Sequence, residues 1–74
     1  MLKNKNKEKL IREFALMKGF EKWAGDFYLK IADNPKIERE TREVFREIAE
    51  DEYHHAKIVQ RVLNIINNNL WKVE

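Results

Sequence analysis

The segment AEDEYHHAKIV, residues 49–59, sets acids and histidines among branched aliphatics. Within it Glu52 and His55 stand three positions apart. On a helix that spacing puts a carboxylate and an imidazole one turn apart on the same face. These are donor types that Fe(II), Mn(II) or Zn(II) accept. Asp51 and His54 repeat the spacing one position away, so register must separate the two pairs. Without metal, Glu52 and His55 read as a buried ion pair or a hydrogen-bonded core histidine. An unpaired buried carboxylate costs several kcal/mol, and His55 alone can compensate Glu52. It cannot also compensate Glu21, a further carboxylate at the middle of the preceding apolar pattern.

Two long helices must position these groups. The main break in the chain is ADNPK, where Asn34-Pro35 is a turn dipeptide. The pattern predicts a helix over about 5–32, a turn at 33–35, a helix over about 36–67 and a tail at 68–74. Pro35 would occupy the first turn of the second helix, with Asp33 or Asn34 capping it. The asparagines at 67–69 read as a stop. In the first helix Leu10, Phe14, Met17, Glu21, Ala24, Tyr28 and Ile31 alternate by four and three. In the second, Phe45, Ile48, Glu52, His55, Val59, Val62 and Ile66 alternate by three and four. Both are seams of a left-handed bundle, interrupted by polar groups near their middles. Asp51 and His54 fall off the seam and read as solvated.

The fold expected is all-α: an antiparallel two-helix hairpin that dimerises into a four-helix bundle, as one domain over 1–74. A lone hairpin cannot cover both seams and a further stripe of Leu16, Phe20, Trp23 and Phe27. That stripe suits another interface beyond the first dimer. Two antiparallel hairpins bring two copies each of Glu21, Glu52 and His55 to one centre. A Glu from each of two helices and a Glu-x-x-His from each of the other two form the di-iron or di-manganese carboxylate arrangement of such bundles. Four carboxylates balance two divalent ions, and a stagger of the helices would level Glu21 with Glu52. The Tyr28 phenol, on the seam after Glu21, is open to two readings: a hydrogen bond to a ligand carboxylate or an aromatic core position. Gly19 and Gly25, each costing about 1 kcal/mol against Ala in a helix, suggest a kink or a close helix approach.

Composition narrows the alternatives. The chain has 74 residues, no cysteine and a net charge of +2. Disulfides, thiolate metal sites and thiol nucleophiles are excluded. No apolar run approaches the roughly 20 residues of a membrane span, and no signal peptide is visible, so a cytoplasmic protein is expected. The lysine-rich start, MLKNKNKEK, reads as a solvated, frayed terminus and not as a nucleic-acid arm, since no aromatic or Arg pattern accompanies it.

The run from Glu21 to Tyr28, EKWAGDFY, followed by DEYHHA at Asp51–Ala56, resembles the ferritin-like superfamily, including the rubrerythrin-type proteins. The two-helix length is most similar to the encapsulated ferritins, whose subunits are half a ferritin and share a di-iron centre across a dimer interface. The resemblance covers roughly Phe14 to Leu63. It implies Glu21, Glu52 and His55 as catalytic iron ligands, with Tyr28 behind them and two iron ions per dimer. It further implies ferroxidase activity, oxidising Fe(II) with O2 for iron storage or detoxification. Ring-shaped decamers and residence inside an encapsulin shell are implied too. Two departures stand out. Phe20 and Trp23 occupy places where that family often has acids that attract incoming metal, and the shell-targeting extension is missing or reduced to LWKVE. Rubrerythrin-like peroxide reduction at the same site is the alternative chemistry; a metal-free helical oligomerisation module is the non-enzymatic one.

Overall fold

The computed structural model describes the backbone of residues 4–68 and the side chains of 6–68. Helix α1 spans Asn4–Ala32 and helix α2 spans Arg39–Asn67. They pack antiparallel as a hairpin, so the all-α expectation holds. The N-terminal lysines enter the helix from Asn4 onward. The tail expected at 68–74 lies, beyond Asn68, outside the described residues.

The turn is wider than expected. Helix α2 begins at Arg39, not near Lys36, and the connection runs over 33–38. Asn34 directs its side chain into the loop, where Oδ1 accepts the Lys36 N–H at 3.0 Å. The Asn34 carbonyl accepts the Ile37 N–H at 3.1 Å. These local bonds compete with helix formation, so Pro35 sits in the loop. Glu38 takes the N-cap position without a capping side-chain bond. Arg46 then fastens the turn: its guanidinium donates to Asp33 Oδ1 at 2.8 Å and to the Ala32 carbonyl at 3.3 Å. The second contact places a cation at the negative end of α1. At the far end, Asn68 closes α2 with backbone and side-chain bonds to the Asn64 carbonyl.

The wider turn also levels the polar groups. Glu21 lies eleven residues before the end of α1, and Glu52 thirteen after the start of α2. At about 1.5 Å per residue the mismatch is about 3 Å.

The buried line between the helices differs from the seam expected on α2. Ala49, Ala56, Val59, Leu63 and Ile66 are buried there, facing Ala32 and Gly25 on α1. Small residues at 49 and 56 let the axes come close. Ile48 and Val62 are half-buried and His55 is exposed. The alternation of 45, 48, 52, 55, 59, 62 and 66 therefore straddles two faces, one against α1 and one open. On α1 the open side continues through Met17, Ala24, Tyr28 and Ile31, beside Glu21. Its outermost stripe, Leu16, Phe20, Trp23 and Phe27, is exposed, with Trp23 at 65%.

The hairpin is long and thin, 55 × 19 × 12 Å. Its radius of gyration is 16.6 Å, against about 11 Å for a globular chain of this length. Among the described residues no side chain with more than Ala's volume is fully buried. One check addresses the buried line. Ala49→Leu, at a position with 0% exposure, should wedge the helices apart and cost about 1–3 kcal/mol. Thermal unfolding followed by circular dichroism reads this, and an unshifted midpoint would place Ala49 outside the contact.

Candidate metal centre

Three of the sequence-derived site residues meet. Glu21 of α1 and Glu52 and His55 of α2 each offer a donor atom, all within 4.8 Å of one another. Glu52 and His55 are brought together by their one-turn spacing, and Glu21 comes from the facing helix at the same height. His55 Nδ1 lies 3.5 Å from Glu21 Oε2. The Glu21 side chain is 24% exposed and His55 53% exposed. The group thus sits at the edge of the buried line, on the open apolar side of the hairpin.

The two carboxylates act directly on each other. Glu52 is raised above the ordinary carboxyl value of 4.5. The first cause is a hydrogen bond with the Glu21 carboxyl, which one of the two acids must be protonated to donate. Desolvation and repulsion from the Glu21 charge add to it, while His55 acts in the opposite sense. Glu21 Oε2 is buried and has no hydrogen-bond partner. A buried carboxylate oxygen with no hydrogen bond among the described residues, an opposing carboxylate and an imidazole form a donor set suited to Fe(II), Mn(II) or Zn(II). The residues present fit a metal.

The other residues of interest lie around this group. Asp51 and His54 are exposed, off the site. The Tyr28 ring packs on Phe45 with centroids 5.8 Å apart and meets Phe27 edge-on at 5.8 Å. Its hydroxyl makes no hydrogen bond to a described residue. Trp23 and Phe27 stack with centroids 5.7 Å apart on the exposed stripe. Sequence reasoning passed over Tyr53 and Asp26. The Tyr53 hydroxyl donates to Asp26 Oδ1 at 2.5 Å, and that bond is the leading reason the phenol is raised above its ordinary value. No spacing in the sequence links the two, since they lie on different helices. A separate groove of about 530 Å³, lined by Lys18, Lys22, Tyr53, Ala56, Lys57 and Gln60, contains none of the three site residues.

Residues 5–74 match the Rubrerythrin family model. The chain belongs to the rubrerythrin family. Membership brings with it an iron-binding, di-iron carboxylate function of the oxidoreductase kind, and Glu21, Glu52 and His55 are the candidate group for it. No curated protein and no solved structure matches the chain significantly. Among the described residues no helix is long and apolar enough to cross a membrane.

The raised Glu52 carboxyl sets a pH dependence. In metal-free protein the folded state holds a proton that the unfolded state has released above about pH 4.5. Stability from this pair is therefore present at lower pH and is lost as pH rises through the raised value. Glu21→Gln removes one of the opposed charges. It is expected to flatten this part of the stability–pH curve and to stabilise the metal-free protein near pH 7, while weakening metal binding. Urea unfolding at several pH values with chelator present measures it. Equal slopes for the two proteins would contradict the opposed-carboxylate account.

Proposed function

We propose that this chain is a ferroxidase whose di-iron site closes when two hairpins pair, with Glu21, Glu52 and His55 of each as the ligands. The supporting observation is the convergence of these three donors on the open apolar side of the hairpin. One chain supplies two carboxylates and one imidazole at an edge that is still partly exposed. A second copy laid antiparallel against Met17, Ala24, Ile31, Ile48 and Val62 would cover that face. It would also double the donors to four carboxylates and two imidazoles, which balance two divalent ions and suit the ferritin-like di-iron arrangement.

In this reading Fe(II) is the substrate. Two Fe(II) held by the carboxylates and His55 would each give one electron and become Fe(III), while one O2 takes up the two electrons and two protons from water and leaves as H2O2. Glu21 and Glu52 bind the substrate ions and offset their charge, which favours the higher oxidation state. His55 supplies a neutral nitrogen donor, which requires the imidazole to be unprotonated. The apolar residues beside the site restrict water once the second hairpin is in place. Storage or detoxification of iron is the use that follows, and residence in a shell would suit it. Exposed Phe20 and Trp23, at 62% and 65%, leave no acidic approach beside Glu21, so metal would arrive before or during pairing.

The rubrerythrin match favours a second reading, peroxide reduction at the same group. The 74 residues hold no cysteine, so electrons for that reaction would come from a separate donor. Rapid mixing of the anaerobically Fe(II)-loaded protein with O2 or with H2O2 separates the two. The ferroxidase reading expects fast Fe(III) formation with O2, lost by about 100-fold or more in Glu52→Ala and His55→Ala, since residues that merely support metal ligands already carry about 10–100-fold. A rate indistinguishable from Fe(II) in buffer would overturn it, and a strong preference for H2O2 would establish the second.

A further inference from the structure

Gly25 is buried in α1, and its backbone faces the Tyr53 ring of α2. A Cβ at position 25 would lie 2.8 Å from Tyr53 Cε1, 3.0 Å from Cζ and 3.1 Å from Cδ1. The ring therefore sits where only glycine leaves room. Its hydroxyl is held by Asp26, the next residue of α1. A flat ring seated on a glycine and tied at its tip permits little sliding of one helix along the other. Gly19 offers the contrast: a Cβ there would meet nothing within 4 Å.

This interlock is beside the metal group. Gly25 is one turn from Glu21 on α1, and Tyr53 is the neighbour of Glu52 on α2. A slip of one residue displaces Glu21 from Glu52 and His55 by about 1.5 Å along the axis, comparable to a whole metal–ligand bond. Further interhelical side-chain ties lie on either side of it along the hairpin. Lys18 donates to Gln60 toward the open end, and Arg46 binds Asp33 at the turn.

We propose that Tyr53, seated on Gly25 and bonded to Asp26, is a positioning residue that fixes the register of the two helices so that Glu21 meets Glu52 and His55. The proposal rests on the metal reading for its purpose, but the register itself is present without metal. It accounts for Gly25, whose cost to the helix is otherwise unexplained, by a close approach and not by a kink.

The test uses the full chain with Gly25→Ala, Tyr53→Phe, Asp26→Asn, the double variant Gly25→Ala/Tyr53→Leu, and Gly19→Ala as control. Two readouts are taken well below the unfolding temperature. One is the nuclear Overhauser contact between the His55 ring and the Glu21 side chain in metal-free protein. The other is Co(II) affinity with its visible spectrum. Gly25→Ala is expected to lose the Glu21–His55 contact and weaken Co(II) by about tenfold or more, the scale seen when groups supporting ligands are altered. Helicity should persist, because Ala is the better helix former. Shrinking the ring in the double variant should restore part of the affinity, and Tyr53→Phe and Asp26→Asn should show smaller losses of the same kind. Gly19→Ala should bind as the parent does. Unchanged contacts and affinity in Gly25→Ala, Tyr53→Phe and Asp26→Asn would overturn the proposal, as would losses that merely track the fraction unfolded. If Gly25→Ala fails to fold, the Tyr53→Phe and Asp26→Asn contacts decide. If the parent itself binds no Co(II), the metal reading fails, while the contact measurements still decide the register.

Discussion

Two carboxylates forced to face each other across a helix pair are the constraint on which this molecule turns. Glu21 and Glu52 converge from different helices, one buried oxygen of Glu21 has no hydrogen-bond partner among the described residues, and Glu52 is raised chiefly because of Glu21. Such a pair costs stability unless a proton or a cation resides between them. His55 at 3.5 Å contributes at most one charge. The helices hold the arrangement all the same, through a buried line of small and branched residues and the Tyr53 ring seated on Gly25. That cost in the metal-free form fits the cation-binding role proposed for the pair.

The same constraint gives the open apolar face its meaning. The hairpin covers one side of the site with α1–α2 packing and leaves the other side apolar and uncovered. A chain so thin has little interior of its own. Pairing with a second copy would supply both the missing hydrophobic contact and the missing donors, so stability and ligation would be gained in one event. The Leu16, Phe20, Trp23 and Phe27 stripe points farther around α1 and lies beyond that face.

Much of this was legible in the sequence. Two long periodic patterns separated by Asn-Pro give the hairpin, because helical periodicity over nearly thirty residues has few alternatives. Glu21, Glu52 and His55 stood out as ionisable groups on apolar seams, and the structure brings those three together. The start of α2 was misplaced because Asn34 bonds within the loop, a local choice that the Asn-Pro signal leaves open. Ile48, His55 and Val62, expected on the bundle seam, lie on the open side of the single chain. A heptad pattern in a bundle helix serves two contacts at once, and sequence does not say which belongs to the single chain. Tyr53 and Asp26 escaped notice because a tyrosine and an aspartate on different helices have no shared spacing to reveal them. Gly25 was visible as an anomaly, but its reason lies in the ring across from it.

The proposed site belongs to two chains and not to one. Native mass spectrometry of the anaerobic protein, loaded with Fe(II) across a dilution series, tests this most directly. Iron is expected to travel with the dimer, two ions for two chains, and monomers released by dilution to carry none. Iron retained one-to-one by monomers, or dimers that form and stay metal-free at saturating Fe(II), would contradict it.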